Sequence, residues 1–549
     1  MDLLCRHDIF YFRSGGVYLM AHIHLIGIGG SGLSAIARLL LEQGHTVTGS
    51  DRILSPLALE LRKMGAFITE GHAALNITGA DYVVRSSAIP DDNPEVLAAL
   101  AAGIPVYKRA DFLGQLMINK LGIAVAGAHG KTTTTGMISW ALYALGVDPS
   151  FIVGGVLQNL GVNARAGHGE TFVIEADEYD RMFLGLKPRY AIVTNVEHDH
   201  PDCFPTPADF RAAFVEFMRL VPPDGALVAC GEDMGASELM AEARRLQKRV
   251  VGYRIAENQR TEAGEWVLAQ NVMANNLGGF TFNALIRLSG GANYVSGVQL
   301  RVPGLHNVRN ALAALAVMGL LGLDVKAAAR ALGEFKGTGR RFEIKGEANG
   351  VIVIDDYAHH PTEIRATLDA ARARYPSRRI IVVWQPHTYS RTRTLFDEFV
   401  VSFAEADDVI VSEIYPAREA PQDFSARQVV QAMYHRSARF IPTLTEICNH
   451  LLSHLKPGDV LIVLSAGDAD WVSAEVLTHL KKARYEMAEK KKVYQAETMA
   501  LPPLKMVLGE LPEPDPGEGY RPFRAMGFKK DEEARGVVKK LIGRIKDKE

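Results

Sequence analysis

Cysteine is scarce. The four in 549 residues, Cys5, Cys203, Cys230 and Cys448, lie far apart and form no C-x-x-C pair. That argues against a disulfide framework and fits a reducing, cytoplasmic setting. No apolar run approaches the roughly 18 residues that span a bilayer, so no membrane partner is expected. Neither sign of charge dominates: 61 Lys plus Arg against 63 Asp plus Glu leave a formal net charge of -2. A chain so balanced has no global electrostatic reason to seek nucleic acid or an anionic membrane. What is present is ordinary for a globular protein, 48% apolar and 23% charged residues, which excludes a disordered chain, a collagen-like repeat and a coiled-coil rod. At about 150 residues per domain there is room for about three to four domains.

Residues 1–20 break their short apolar stretches with Arg6, Asp8 and Arg13 and lack a signal-peptide core, so they are read as an N-terminal extension ahead of a start at Met20. From Ala21 the chain alternates short apolar runs with amphipathic stretches. HIHLIGIG, SGLSAIARLLLEQG and HTVTGSD predict a strand, a helix and a second strand, a βαβ unit. The alternation restarts at LGIAVAGAHG and again after Lys336, at VIVIDDYA. A polar, Gly/Asn-rich stretch with short strands is expected before the helix HNVRNALAALAVMGLLG. The expectation is three α/β domains with largely parallel sheets, over 21–119, 120–336 and 337–487. Residues 488–549, Pro/Glu/Gly-rich and then Lys/Arg-rich, are read as a mobile tail.

Two glycine loops carry the chemistry. Gly27-x-Gly29-Gly30-x-Gly32 follows a strand and opens a helix, and Asp51 ends the next strand. Such a turn lets a diphosphate approach the backbone N–H groups of a helix start, and the acid can meet a sugar hydroxyl. NAD and other diphosphate nucleotides fit it equally. The second loop, Gly127-Ala128-His129-Gly130-Lys131-Thr132-Thr133, lies at another strand-to-helix turn, with Val125 where a full phosphate-loop pattern has its first glycine. Its backbone can cradle ATP phosphates, Lys131 can reach the β/γ-phosphates and Thr132 can ligate Mg²⁺. Acids and an imidazole at neighbouring strand ends (Glu175, Asp177, Glu178, Glu197, Asp199, His200) suit that ion. His198, His200 and Cys203 suggest zinc, but the spacing lacks a fourth ligand.

Taken in order, HLIGIGGSGLSAIA, RSSAI, YKRADFL, AGAHGKTTTT, EADEYDRMFL, TNVEHDHPD, HNVRNALAA, GTGRRFE, DDYAHHPTE and QPHTYSRT resemble the Mur ligase family of cell-wall synthesis over about residues 21–485. The resemblance implies a Rossmann-like first domain that holds a UDP-sugar through Gly27, Gly29, Gly30, Gly32, Asp51, Ser86 and Ser87. It implies a central P-loop ATPase-like domain, with ATP held by Gly127, His129, Gly130, Lys131, Thr132, Thr133 and Asn307. A third, Rossmann-like domain would add Arg341 at the phosphates and Asp356 at the ribose. Thr132, Glu175 and His200 would hold the metal, while Lys131, Glu175, His200 and Arg341 would act in catalysis. Tyr357, His359 and Arg391 would receive the amino acid, Arg391 as the partner of its carboxylate. The implied reaction joins L-alanine to UDP-N-acetylmuramate through an acyl phosphate at the cost of ATP, the third domain closing on ATP, in a monomer or weak homodimer. The alternatives are a recycling ligase that adds a tripeptide to the same sugar, an NAD-dependent oxidoreductase, and a non-catalytic sugar-nucleotide sensor.

Overall fold

The computed structural model describes residues 20–256 and 263–482. Residues 1–19 of the N-terminal extension, the last residues of the expected third domain (483–487) and the expected tail (488–549) therefore lie outside the described residues. The chain divides after Leu477, and of the second unit only residues 478–482 are described. The three sheets below belong to the first unit, and residues 478–482 of the second are helical.

The first sheet has the order β3-β2-β1-β4-β5: β1 (His22–Ile26), β2 (Thr46–Asp51), β3 (Phe67–Glu70), β4 (Tyr82–Arg85) and β5 (Val106–Lys108), all parallel. β1 is flanked by β2 on one side and β4 on the other, so the strand order reverses there and a crevice opens at its C-terminal end. That end carries Gly27 and leads into the helix Ser31–Glu42, whose apolar face (Leu33, Ile36, Leu39, Leu40) is buried.

The central sheet is ten-stranded. Its members are β6 (Leu121–Ala126), β7 (Ser150–Leu157), β8 (Val162–Arg165), β9 (Thr171–Glu175), β10 (Tyr190–Val193), β11 (Ala226–Cys230), β12 (Val250–Ile255), β13 (Glu265–Ala274), β14 (Phe280–Leu288) and β15 (Gly291–Gln299), in the order β15-β14-β13-β12-β11-β10-β6-β9-β7-β8. The strands from β12 to β7 are parallel, and β6 lies between β9 and β10. The wing beyond β12 differs from the sequence expectation. Instead of short strands, β13, β14 and β15 are 10, 9 and 9 residues long and pair antiparallel as a meander, with a register shift in each pairing. The helix Leu305–Leu320 covers this sheet and is buried along most of its length, as its nearly continuous apolar sequence requires.

The third sheet comprises β16 (Glu343–Ala348), β17 (Val351–Asp356), β18 (Ile380–Gln385), β19 (Asp408–Val411), β20 (Ala438–Phe440) and β21 (Val460–Ser465), in the order β16-β17-β21-β18-β19-β20, parallel except for β16 with β17. Its core, with Ile354, Leu368, Trp384 and Ile462, forms a cluster of its own. By contrast, the first and central sheets share one apolar cluster that runs from Ile23, Leu25 and Ile36 to Phe172, Phe214 and Leu227. At that seam Gly114 and Gly185 meet so closely that a Cβ on Gly114 would stand 2.2 Å from the Gly185 carbonyl oxygen. No helix among the described residues is long and apolar enough to cross a membrane.

Candidate active site

The two predicted glycine loops share with Gly304, at the start of Leu305–Leu320, a helix start that no side chain caps. Ser55, Asn93, Thr206 and Asp233 cap their helices with a side chain. The helices Ser31–Glu42 and Lys131–Ala144 instead begin at Gly30 and Gly130, without a side-chain cap. Their first N–H groups are thus left to an anion, with the positive end of the helix dipole behind them. In the first loop Gly27 takes φ +84° and packs against Ser86. Gly29 donates its N–H to Asp51 Oδ2 at 2.9 Å, so the acid braces the loop in this structure. Ser86 donates its backbone N–H to Ile26, beside the same turn, and Ser87 follows it. Gly32 admits the Arg109 side chain, since a Cβ there would fall 1.8 Å from a guanidinium nitrogen.

The second loop leaves the centre of its sheet, so β9 and β10 deliver their ends on either side of it. Gly127 takes φ +140°, and a Cβ would stand 2.0 Å from the Thr194 hydroxyl. Thr194 donates to the carbonyl of His129 and Asn195 accepts its N–H, which fixes the loop to the end of β10. Lys131 Nζ donates to the carbonyls of Gly127 (2.6 Å) and Ala128 (3.1 Å) and to Glu178 Oε1 (2.8 Å). Burial alone would lower the lysine's pKa, but Glu178 outweighs it and raises it, so the ammonium stays charged. Thr132 donates to Glu175 Oε1 at 2.9 Å, and Gly154 donates its N–H to Oε2 at 2.7 Å. Burial pushes the Glu175 carboxyl up even against Lys131 and Arg341. His200 Nε2 lies 3.4 Å from Glu178 Oε1. Burial opposes its protonation, yet Asp199 and Glu178 raise its pKa.

A cavity of about 720 Å³ opens beside this loop. His129, Gly130, Thr133, Asn307, Arg341 and Asp356 line it, which brings six of the predicted ATP residues together from two domains. The Asn307 amide donates to the Pro303 carbonyl and accepts from Asn310. The Asp356 oxygens accept N–H groups of Phe342 and Ala358, and burial lifts its pKa to about 6. Glu175 lies elsewhere, lining a smaller cavity of about 130 Å³ with Ser31, Gly32, Arg109 and Gly154. This carboxylate thus touches Thr132 of the second loop and faces the first.

The predicted amino-acid residues converge from the third domain. His359 Nδ1 lies 2.9 Å from the Tyr357 carbonyl oxygen, and burial drops its pKa to about 3, so the ring is neutral. The Arg341 guanidinium lies over the Tyr357 ring at 5.2 Å. Arg391 is buried rather than exposed, and its Nε and Nη2 both donate to Asp199 Oδ1, at 3.0 and 2.8 Å. Other polar contacts cross the same junction. Thr362 donates to Glu197 at 2.7 Å, and His129 lies between Glu197 and Glu363. Sequence reasoning grouped Glu178, Glu197 and Asp199 as strand-end acids but missed the partner each would take, and it missed Glu363 and Arg109 altogether. Their only signal was membership in the motifs DDYAHHPTE and YKRADFL. Among the described residues the ligand-type group within mutual reach is His129, Glu197 and His360, not His198, His200 and Cys203. His129 there already bridges two carboxylates.

Three α/β domains, with a glycine turn at a helix start on either side of Glu175, form the frame of an enzyme built on two strand-to-helix loops. Family models match consecutive stretches of the chain: the Mur ligase family catalytic domain over residues 22–121, the Mur ligase middle domain over 125–318 and the Mur ligase glutamate ligase domain over 340–467. The chain belongs to the Mur ligase family, whose enzymes are ATP-dependent. It is 44% identical over 466 residues to the UDP-N-acetylmuramate–L-alanine ligase of Roseiflexus sp. (strain RS-1), covering 84% of this chain and 99% of that one. The enzyme of the same name from Geobacter sp. (strain M21) is 42% identical, over 84% and 98%. Among solved structures, the UDP-N-acetylmuramate–alanine ligase of Thermotoga maritima matches with a TM-score of 0.67 at 28% identity, over 84% of this chain and 100% of that one. A murein peptide ligase from Psychrobacter arcticus matches with 0.62 at 28%, over 84% and 99%. The expected fold class and family hold, and the oxidoreductase reading is set aside.

Proposed function

We propose that this chain joins L-alanine to the carboxylate of UDP-N-acetylmuramate, using ATP. The observation that carries the reading is the place of Glu175, bound to Thr132 of one glycine loop and sharing a cavity with Gly32 of the other. A sugar nucleotide tethered at the first loop has its acid end led toward the phosphates held at the second. Remote binding energy is thereby converted into positioning. A carboxylate and an amine form a salt at neutral pH, because oxide is a poor leaving group. The substrate carboxylate oxygen therefore attacks the γ-phosphorus and ADP departs. The alanine nitrogen then attacks the acyl carbon, loses a proton, and inorganic phosphate leaves.

Lys131 and Arg341 neutralise the charge that gathers on the transferring phosphoryl group, and Asn307 and Asp356 hold the adenosine end. Thr132, Glu175 and His200 would hold Mg²⁺. Their oxygen-rich set suits it, and Glu178 Oε2 beside His200 is a buried carboxylate oxygen with no hydrogen-bond partner. That ion would supply charge neutralisation at the phosphates. Tyr357, His359 and Arg391 receive the amino acid, with Arg391 fixed by Asp199 and presented to a second carboxylate. Ser86, Ser87 and Asp51 belong to the UDP-sugar side.

Phosphate release from ATP plus UDP-N-acetylmuramate, screened against single amino acids and the tripeptide, tests the proposal. The expected result is turnover with L-alanine. Preference for the tripeptide would move the chain to the recycling reaction, and no release with any acceptor would overturn the ligase reading.

A further inference from the structure

The turn that carries Arg391 is strained. Thr388, just past the end of β18, stands at φ +68° and ψ 145°, a region that a β-branched residue enters only when its neighbours hold it there. The Thr388 N–H donates to the Tyr415 carbonyl at 2.8 Å, and Tyr415 donates its own N–H to the Pro386 carbonyl at 2.8 Å. The helix Tyr389–Thr394 starts next, and its first N–H groups need acceptors. Thr388 Oγ1 accepts that of Arg391 at 3.4 Å. The other two go to Glu419, a half-buried acid in the loop that follows β19. Its Oε2 accepts from Tyr389 at 2.6 Å and from Ser390 at 3.1 Å, and the Ser390 hydroxyl donates to Oε1.

We propose that Glu419 is a positioning residue for the acceptor side of the reaction: it holds the Thr388 turn in its strained form and so places the backbone from which Arg391 reaches the amino acid's carboxylate. The inference deepens the reading given above and rests on the role of Arg391 in it. Asp199 fixes the guanidinium through Nε and Nη2, and His387 Nδ1 lies 3.1 Å from Nη1. Those contacts set where the side chain ends. Glu419 sets where it begins. Without this carboxylate the N–H groups of Tyr389 and Ser390 lose their acceptor, and the turn is free to relax toward the negative φ that threonine prefers. The backbone of Arg391 then moves while Asp199 still holds its guanidinium, and an incoming carboxylate meets a misaimed partner. Charge-assisted contacts of this kind fix orientation as well as adding energy.

A purely structural reading is also available, because a carboxylate at a helix start adds stability whatever the helix carries. Kinetics separate the two. Glu419→Ala is expected to raise KM for L-alanine about 10–30-fold, with kcat within about threefold and KM for ATP within about twofold. Glu419→Gln keeps one accepting oxygen, so the rise should shrink to about threefold. Glycine adopts the turn without strain, so Thr388→Gly added to Glu419→Ala should bring KM for L-alanine back to within about fivefold of the parent. A lower melting temperature with unchanged KM for L-alanine in Glu419→Ala would overturn the proposal in favour of a cap. An equal rise in KM for ATP, or a double variant no better than the single one, would overturn it as well. Should Glu419→Ala not fold, Glu419→Gln takes its place, and parental KM for L-alanine in that variant overturns the proposal. Failure of the ligase reading would look different, since the parent protein would then release no phosphate with L-alanine.

Discussion

Lys131 is expected to serve two ends, and the structure allows them to be separated. Replacing it with methionine removes the ammonium that faces the phosphates, and it also strips the buried Glu178 carboxylate of its partner at 2.8 Å. Breaking a buried pair from one side costs about 3–5 kcal/mol. His200 still lies 3.4 Å from the same oxygen, so a loss of about 2–3 kcal/mol is the better figure. At about 2–4 °C per kcal/mol for a domain of this size, melting should fall by roughly 4–12 °C. Loss of the charge at the transferring phosphoryl group should separately lower turnover on the order of 10²–10³. The double variant Lys131→Met/Glu178→Gln removes the orphaned charge. Melting should recover while turnover stays low, read by scanning calorimetry beside phosphate release. If the double variant regained turnover together with stability, the lysine would be a structural counter-ion and the phosphate assignment would fail. Turnover within threefold of the parent in the single variant would refute it outright.

Gly127→Ala should place a methyl group against Thr194 at a φ of +140°, costing about 1–2 kcal/mol of backbone strain and about 1–3 kcal/mol of displacement. ATP binding by calorimetry should weaken more than about 30-fold with UDP-sugar binding unchanged, and near-normal ATP affinity would contradict the close approach. Arg391→Lys keeps the charge but loses the two-pronged grip on Asp199, so KM for L-alanine should rise about 10–100-fold with KM for ATP within about twofold. An equal rise in both would remove the assignment. Burial opposes protonation of His129, but Glu197 and Glu363 raise its pKa to about 9. Its contribution to stability is therefore complete below the unfolded value near 6.5 and fades as pH rises through about 9. The melting advantage of the parent over His129→Gln should shrink across that window, and a gap independent of pH would show that the imidazole does not bridge as a cation.

Much of this site could be read in the sequence, because its turns demand glycine. At Gly27, Gly127 and Gly130 φ is positive and a Cβ would stand 2.0–3.2 Å from a neighbour, so a residue without a Cβ fits there best. The strand-to-helix alternation likewise announced the parallel parts of the sheets. The antiparallel meander was less legible. β14 buries alternate residues, but β15 is exposed over most of its length, and an exposed edge strand has no apolar pattern to show. Partnerships between charges were the least legible. Sequence shows that Asp177 and Glu178 are adjacent acids, and folding alone decides that Glu178 is fully buried under Lys131 while Asp177 turns to Arg109. Arg391 presents the same difficulty. In an Arg-rich run it looks like a surface residue, and it is buried only because Asp199 arrives from another domain.

The apolar cluster shared by the first two sheets has a consequence for what counts as a separable piece of this protein. Cutting before Leu121 would not release a self-standing phosphate domain. It would strip one wall from it, since the helix Arg109–Leu116 packs on the turn Tyr179–Gly185 and both sheets share one apolar cluster that would then face water. The Gly114–Gly185 seam also leaves no space for a larger side chain to wedge the two apart. Sugar-nucleotide grip and phosphate turn are thus inherited as one block, while the third sheet, with its own interior, is the part that evolution or an engineer can exchange to admit a different acceptor.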